Sequence, residues 1–132
     1  MPHTTIEYSA NVAEHHDIAA LVGAIHQAAL ETGIARVAGV RTRAVALDHY
    51  QVADGSEDLA MIAIAVRLGP GREAAVKTAL NEAILNAAEA QFATETSPLA
   101  IAWSIELNEI NADFRTNRNY VADRLAARQG AN

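Results

Sequence analysis

The stretch that most restricts what this chain can become lies in its middle. From Ala60 to Leu68 it reads as a continuous apolar run, with Arg67 near its end, set between a polar turn, Asp54-Gly55-Ser56-Glu57-Asp58, and a breaker, Gly69-Pro70-Gly71. A run of that length and boundary is a buried strand rather than a helix. A strand apolar on both sides needs cover over both faces of its sheet. The rest of the chain must supply that cover or leave it to another copy.

Upstream, Thr4, Ile6 and Tyr8 alternate with His3, Thr5 and Glu7, which predicts a first strand over residues 2–9. Asn11 followed by Glu14 reads as a capping box for a helix carrying Ile18, Leu21, Val22, Ile25, Ala28 and Ala29, with Gly33 as its stop. Arg41 to Val52 reads as a long second strand, with Arg41, Arg43, Val45 and Leu47 on one face and Thr42, Ala44, Ala46 and Asp48 on the other. Downstream, a second helix is expected from about Arg72 to Phe92, with Val76, Leu80, Ala83, Ile84 and Ala87 inward and a Glu73–Lys77 pair outward. Beyond Pro98, Leu99, Ile101, Trp103, Ile105 and Leu107 alternate with small or polar residues as a fourth strand. A polar stretch, 108–117, leads to a short terminal helix with Tyr120, Val121 and Leu125, then a frayed tail, 128–132.

The order is β-α-β, hairpin, β-α-β, a loose duplication of residues 2–52 and 60–107. The expected fold is α+β: duplicated β-α-β units forming a four-stranded sheet with two helices on one face, plus a short C-terminal helix, in one domain spanning residues 1–132. A helical crossover makes the first two strands parallel. Two helices cover only one face, so oligomerisation is the simplest cover for the other. A net charge of −6, from 16 acids against 10 Lys and Arg, argues against nucleic acid as a partner. It also repels anions at long range, so any anion site must be built from a few local arginines. Cysteine is absent. Neither a signal-peptide pattern nor an apolar run of membrane-spanning length is present, and a soluble, cytoplasmic protein is expected.

Four features carry chemistry. A proline in second position is small enough for the initiator Met1 to be removed, which would turn Pro2 into a free secondary amine at the start of a strand. A terminal amine titrates near pH ~7.7–8.0, and burial or a neighbouring cation lowers that further, making a neutral base near pH 7. Proline is equally an ordinary first residue of a strand. Gly69-Pro70-Gly71-Arg72-Glu73-Ala74 formally matches a dinucleotide fingerprint but lacks the acidic residue and larger sheet that the fingerprint requires. What remains is Arg72 at a helix N-terminus, where a cation opposes the helix dipole and an anion would offset the cost. Arg41 and Arg43, two apart on one strand face, offer planar donor forks for a carboxylate, or serve as edge-strand charges. His3, His15, His16, His26 and His49 show no metal-binding spacing, and His15 and His16 read as a solvent-exposed helix start. No nucleophile motif is present.

Met1-Pro2-His3 opening a strand, Ala38-Gly39-Val40-Arg41-Thr42-Arg43, Val52-Ala53-Asp54-Gly55 and Leu68-Gly69-Pro70-Gly71-Arg72, in that order and spacing, resemble the 5-carboxymethyl-2-hydroxymuconate isomerase family of the tautomerase superfamily. The resemblance covers most of residues 1–120. It implies a homotrimer that needs no metal or organic cofactor, with a small anionic dienol acid as substrate. Pro2 would be the base, Arg41 and Arg72 would bind carboxylates and stabilise the developing dienolate, and Arg43 would be the alternative to Arg41. Thr4, Ala46, His49 and Tyr50 stand where the family pattern has bulkier aromatics, so the resemblance implies an altered pocket. The same element order also describes a ferredoxin-like ligand-binding module, or an inactive tautomerase-fold oligomer.

Overall fold

The structure is a computed structural model describing residues 2–130; Met1 and residues 131–132, the last two of the expected frayed tail, lie outside the described residues. Four strands form one sheet: β1 (His3–Ser9), β2 (Arg41–Leu47), β3 (Leu59–Leu68) and β4 (Ala100–Glu109), in the order β2-β1-β3-β4. β1 runs parallel to β2, β3 runs parallel to β4, and β1 and β3 meet antiparallel at the centre. Each parallel pair is joined by a helix, as parallel strands require: α1 (Ile18–Glu31) in the first unit and α2 (Ala74–Ala93) in the second. A third helix, α3 (Tyr120–Gly130), ends the described residues, so positions 128–130 of the expected frayed tail are helical.

Both long helices pack on the same face of the sheet and against each other. There Ile6 of β1 and Ile62, Ile64, Val66 and Leu68 of β3 meet Leu21, Ile25 and Ala29 of α1 and Leu80, Ile84, Ala88 and Phe92 of α2. Every second residue of β3 is buried, the period of 2 expected of a strand with one covered face.

Several boundaries differ from the sequence expectation. α1 starts at Ile18 because Asp17 caps it, its Oδ1 accepting from the Ala20 N–H at 3.0 Å. Asn11 therefore caps nothing; residues 10–14 form a 3-10 turn, and the Asn11 amide donates to the Leu59 carbonyl at 2.8 Å. At the other end of α1, Gly33 adopts φ 70°, the left-handed stop its position predicts. β2 ends at Leu47 rather than Val52, because Ser9, its partner, is the last residue of β1. α2 begins at Ala74 with Glu73 as its cap residue, so Arg72 precedes the helix and the dipole argument for it does not apply. Lys77 bridges to Glu109 of β4 at 2.9 Å, not to Glu73. The inward ridge of α2 is Leu80-Ile84-Ala88-Phe92, one residue per turn, and Val76 is 42% exposed. His16 is buried, at 7% exposure, rather than part of a solvated helix start.

The second face of the sheet carries no layer from the described chain. Met61, Ala63 and Ala65 of β3 are only half-buried there, flanked by exposed Glu7, Arg67, Ser104 and Glu106. Phe114 and Tyr120, between β4 and the start of α3, are 88% and 73% exposed. Among the described residues, no helix is long and apolar enough to cross a membrane. The inward ridge is directly testable by urea unfolding. Ile84→Ala is expected to cost about 2–5 kcal/mol, the range for a large-to-small change in a packed core. Val76→Ala should stay within about 0.5 kcal/mol, as surface changes do; equal losses would refute the assignment of the α2 face.

Candidate active site

The end of the sheet where β1 and β2 begin and β3 and β4 finish gathers the residues singled out from sequence. Pro2 stands immediately before β1, and its carbonyl accepts from the Arg41 N–H at 3.1 Å. His3 is paired with Arg41 on one side and Arg67 on the other, so continuing the register by one residue sets Pro2 between Val40 and Leu68. Both are buried, and so, fully, is the Pro2 side chain. Alternation puts Pro2 on the helix-covered face, while His3, Arg41, Arg43 and Arg67 share the uncovered face. Lacking an N–H, proline leaves no ladder donor orphaned at this terminal position.

On the uncovered face, Arg41 Nη1 lies 3.2 Å from His3 Nε2. A guanidinium only donates, so Nε2 accepts and the neutral ring carries its proton on Nδ1. Arg43 sits two residues along the same face and is exposed. It belongs to the same patch as Arg41 but lies further from the Pro2 end.

Arg72 reaches the same end from the loop between β3 and α2. Its guanidinium donates to the Gly69 carbonyl at 3.2 Å and to the Ile34 carbonyl at 3.0 Å, tying that loop to the one entering β2. Gly71, at φ 106°, gives the loop the turn that allows this return. Two of the five guanidinium donors are thus used, and the others remain for a ligand. Beside Arg72 opens a cleft of about 400 Å³ lined by Ala35, Arg36, Ala38, Gly39, Asn119 and Ala122. Asn119 donates to the Ala38 carbonyl at 3.0 Å and its Oδ1 accepts from the Ala122 N–H, which fixes the start of α3 against this cleft.

The structure therefore brings Pro2, Arg41 and Arg72 to one end of the sheet, with Arg43 one pleat removed. Among the described residues, no group of three or more His, Cys, Asp or Glu is placed to hold a metal ion. Two participants were missed from sequence. His3 was read as an alternating strand residue and as one of five histidines without metal-binding spacing, with no link to Arg41, because the pairing that sets it against Arg41 is not local. Asn119, just beyond the polar stretch 108–117, was given no role, although an Asn directly before a helix is a capping signal.

Burial, then the positive charge of Arg41, and then Arg115, Arg43 and Arg67 hold the His3 imidazole below its ordinary value of 6.5. The unfolded chain thus takes up a proton near pH ~6.5 that the folded chain still refuses. The stability associated with neutral His3 is present above that pH and is lost as pH falls through the lowered folded value. His3→Gln keeps an acceptor for Arg41 and removes the titration. Urea unfolding at pH 7.5 and 5 should show a smaller acid loss in His3→Gln than in the parent; an equal loss would refute the linkage.

The chain is similar to known proteins in both sequence and fold. The family model for 5-carboxymethyl-2-hydroxymuconate isomerase matches residues 2–125. The chain is 29% identical over 121 residues to the 5-carboxymethyl-2-hydroxymuconate Delta-isomerase of Escherichia coli, covering 92% of this chain and 96% of that one. It superposes on a 5-carboxymethyl-2-hydroxymuconate isomerase from Deinococcus radiodurans R1 with a TM-score of 0.83 and 29% identity, over 94% and 93% of the two chains. The "Q0 fused 4-OT wild type symmetric trimer" shares the fold at a TM-score of 0.66 and 21% identity, over 89% and 92%. This chain, with its four-stranded sheet and helices of the tautomerase fold, belongs to the 5-carboxymethyl-2-hydroxymuconate isomerase family.

Proposed function

We propose that this isomerase converts a 2-hydroxymuconate-type dienol acid, such as 5-carboxymethyl-2-hydroxymuconate, into its 2-oxo isomer with Pro2 as the base. The observation that carries this reading is the fully buried Pro2 at the sheet end that Arg41 and Arg72 also reach. Free Pro2 nitrogen takes the proton of the 2-hydroxyl, the oxygen's electron pair forms the 2-oxo group, and the shifted double bond takes a proton at carbon from the Pro2 ammonium. The base is regenerated and nothing is oxidised or reduced. Negative charge develops on the dienolate oxygen between these steps, and Arg41 and Arg72 are the groups that stabilise it and bind carboxylate. Burial and nearby cations both disfavour the Pro2 ammonium, which suits a base working near neutrality.

Met1 lies outside the described residues. While it is attached, Pro2 nitrogen is a tertiary amide whose lone pair is delocalised into the carbonyl. Active preparations should therefore lack Met1, and kcat/KM should rise with pH as the Pro2 ammonium loses its proton. Intact-mass analysis beside a dienol assay decides this: a sample wholly retaining Met1 that turns over as fast as a processed one removes Pro2 from the mechanism.

The arginines should separate from one another. Arg41→Ala is expected to lower kcat/KM by about 10²–10³ with little loss of stability, the scale for removing one donor to a developing anion. Arg72→Ala should cost a similar factor and also about 1–3 kcal/mol of stability, because the carbonyls of Ile34 and Gly69 lose their donors. Arg43→Ala should cost less than either. Full activity in Arg41→Ala or Arg72→Ala would defeat the assignment.

The working unit is proposed to be a homotrimer. The half-buried, small-residue second face of β3 supports this, as does the symmetric trimer formed by the fused 4-OT relative. Sedimentation at micromolar concentration should give three times the chain mass; a monomer would rule the assembly out.

A further inference from the structure

At the opposite end of the sheet from Pro2, where β4 begins and α2 ends, lies a second polar cluster that the isomerase reading does not use. The His16 ring stacks on Phe92 with centroids 3.8 Å apart and planes 3° from parallel. Phe92 in turn meets Trp103 edge-on at 5.3 Å. The Glu95 carboxylate accepts from the Asp17 N–H at 2.9 Å through Oε2, and the same oxygen lies 3.3 Å from His16 Nδ1. The His16 side chain is only 3% exposed, yet neither of its nitrogens has a hydrogen-bond partner within the chain, and neither does Glu95 Oε1. Nδ1 at least faces the Glu95 carboxylate, but His16 Nε2 and Glu95 Oε1 are buried with no partner at all, which is costly, since buried polar groups are almost always paired. Both atoms belong to residues lining a cleft of about 270 Å³ that also includes Glu89, Ser97 and Trp103.

We propose that this cleft binds a small primary ammonium compound, its N–H groups donating to His16 Nε2 and the Glu95 carboxylate and its charge resting against Trp103. The chemistry of the lining selects that class. With a carboxylate oxygen beside Nδ1, that nitrogen carries the proton and Nε2 presents a lone pair. The orphaned atoms then ask for donors, and Glu89 and Glu95 ask for positive charge. An electron-rich indole face adds attraction for a cation. A metal ion fits poorly, because Glu89, although it lines the cleft, does not complete a ligand set with His16 and Glu95: among the described residues no group of three His, Cys, Asp or Glu is placed to hold one. The volume suits a ligand of a few heavy atoms, smaller than drug-sized pockets accommodate. Glu95, whose side chain is 20% exposed, is the group that swings to admit the ammonium to Nε2.

Trp103 is the chain's one tryptophan, so intrinsic fluorescence reads this cleft directly. The purified full-length protein is titrated with propylammonium chloride, with sodium chloride, sodium propionate and tetramethylammonium chloride as matched controls. A saturable fluorescence change is expected with propylammonium alone. Its apparent Kd should weaken about tenfold or more in Glu95→Gln, as loss of a charge-assisted hydrogen bond implies. Glu89→Gln, at a surface position where folding is not at stake, should also weaken it. A response no different from sodium chloride overturns the proposal. So does tetramethylammonium binding as tightly as propylammonium, since it has no N–H to donate, or an unchanged Kd in both variants.

Discussion

The position of β1 between a parallel and an antiparallel neighbour is the constraint on which the rest of the molecule depends. All seven of its residues pair with β2 on one side and six of them, His3 to Tyr8, with β3 on the other, and each β-α-β unit contributes its own crossover helix to the same face. Because the side-chain period of a strand is 2, the register that buries Ile6 against Ile64 also commits His3, Arg41 and Arg67 to the uncovered face. A slip of one residue would bury those charges and expose the core. The hydrophobic pattern and the placement of the proposed active end of the sheet are therefore one decision.

That placement has an electrostatic side. The chain as a whole is acidic, at −6, yet Arg41, Arg43, Arg67 and Arg115 all act on His3 at one sheet end. A ligand anion is repelled at a distance and attracted locally, so the field favours a small molecule that can enter the patch over an extended polyanion. His3 stays neutral among these cations and accepts from Arg41, which lets one guanidinium be held without a carboxylate that would cancel its charge. Arg72 is held differently, by two backbone carbonyls, and keeps its full charge for the same reason. Neutral acceptors thus orient both arginines of the proposed site.

Much of the fold was legible in local patterns. The alternation of Thr4, Ile6 and Tyr8, the run from Ala60 to Leu68 and the helical spacing of Leu21 and Ile25 each report a single element, and each element is present. The boundaries were less so. Asn11 and Glu14 satisfy the capping pattern, but Asp17 stands nearer the periodic residues and takes the cap, while Asn11 bonds to Leu59, 48 residues away. Val76 matches the helical period as well as Leu80 does, yet it lies a turn too early to meet the sheet.

By itself the sequence determined the order of elements, the parallel pairing that helical crossovers require, and the family, because these rest on short-range periodicity and on residues at set spacings. Pro2, Arg41, Arg43 and Arg72 were already candidates on their chemistry alone. Tertiary structure decided which of them share an end of the sheet, and it alone set His3 against Arg41, Arg72 against Ile34, and His16 in the core beside Glu95 and Phe92. Those contacts join residues 38 to 79 positions apart. They are set by strand register and by how far a helix carries its end across the sheet, quantities that no window of local sequence contains.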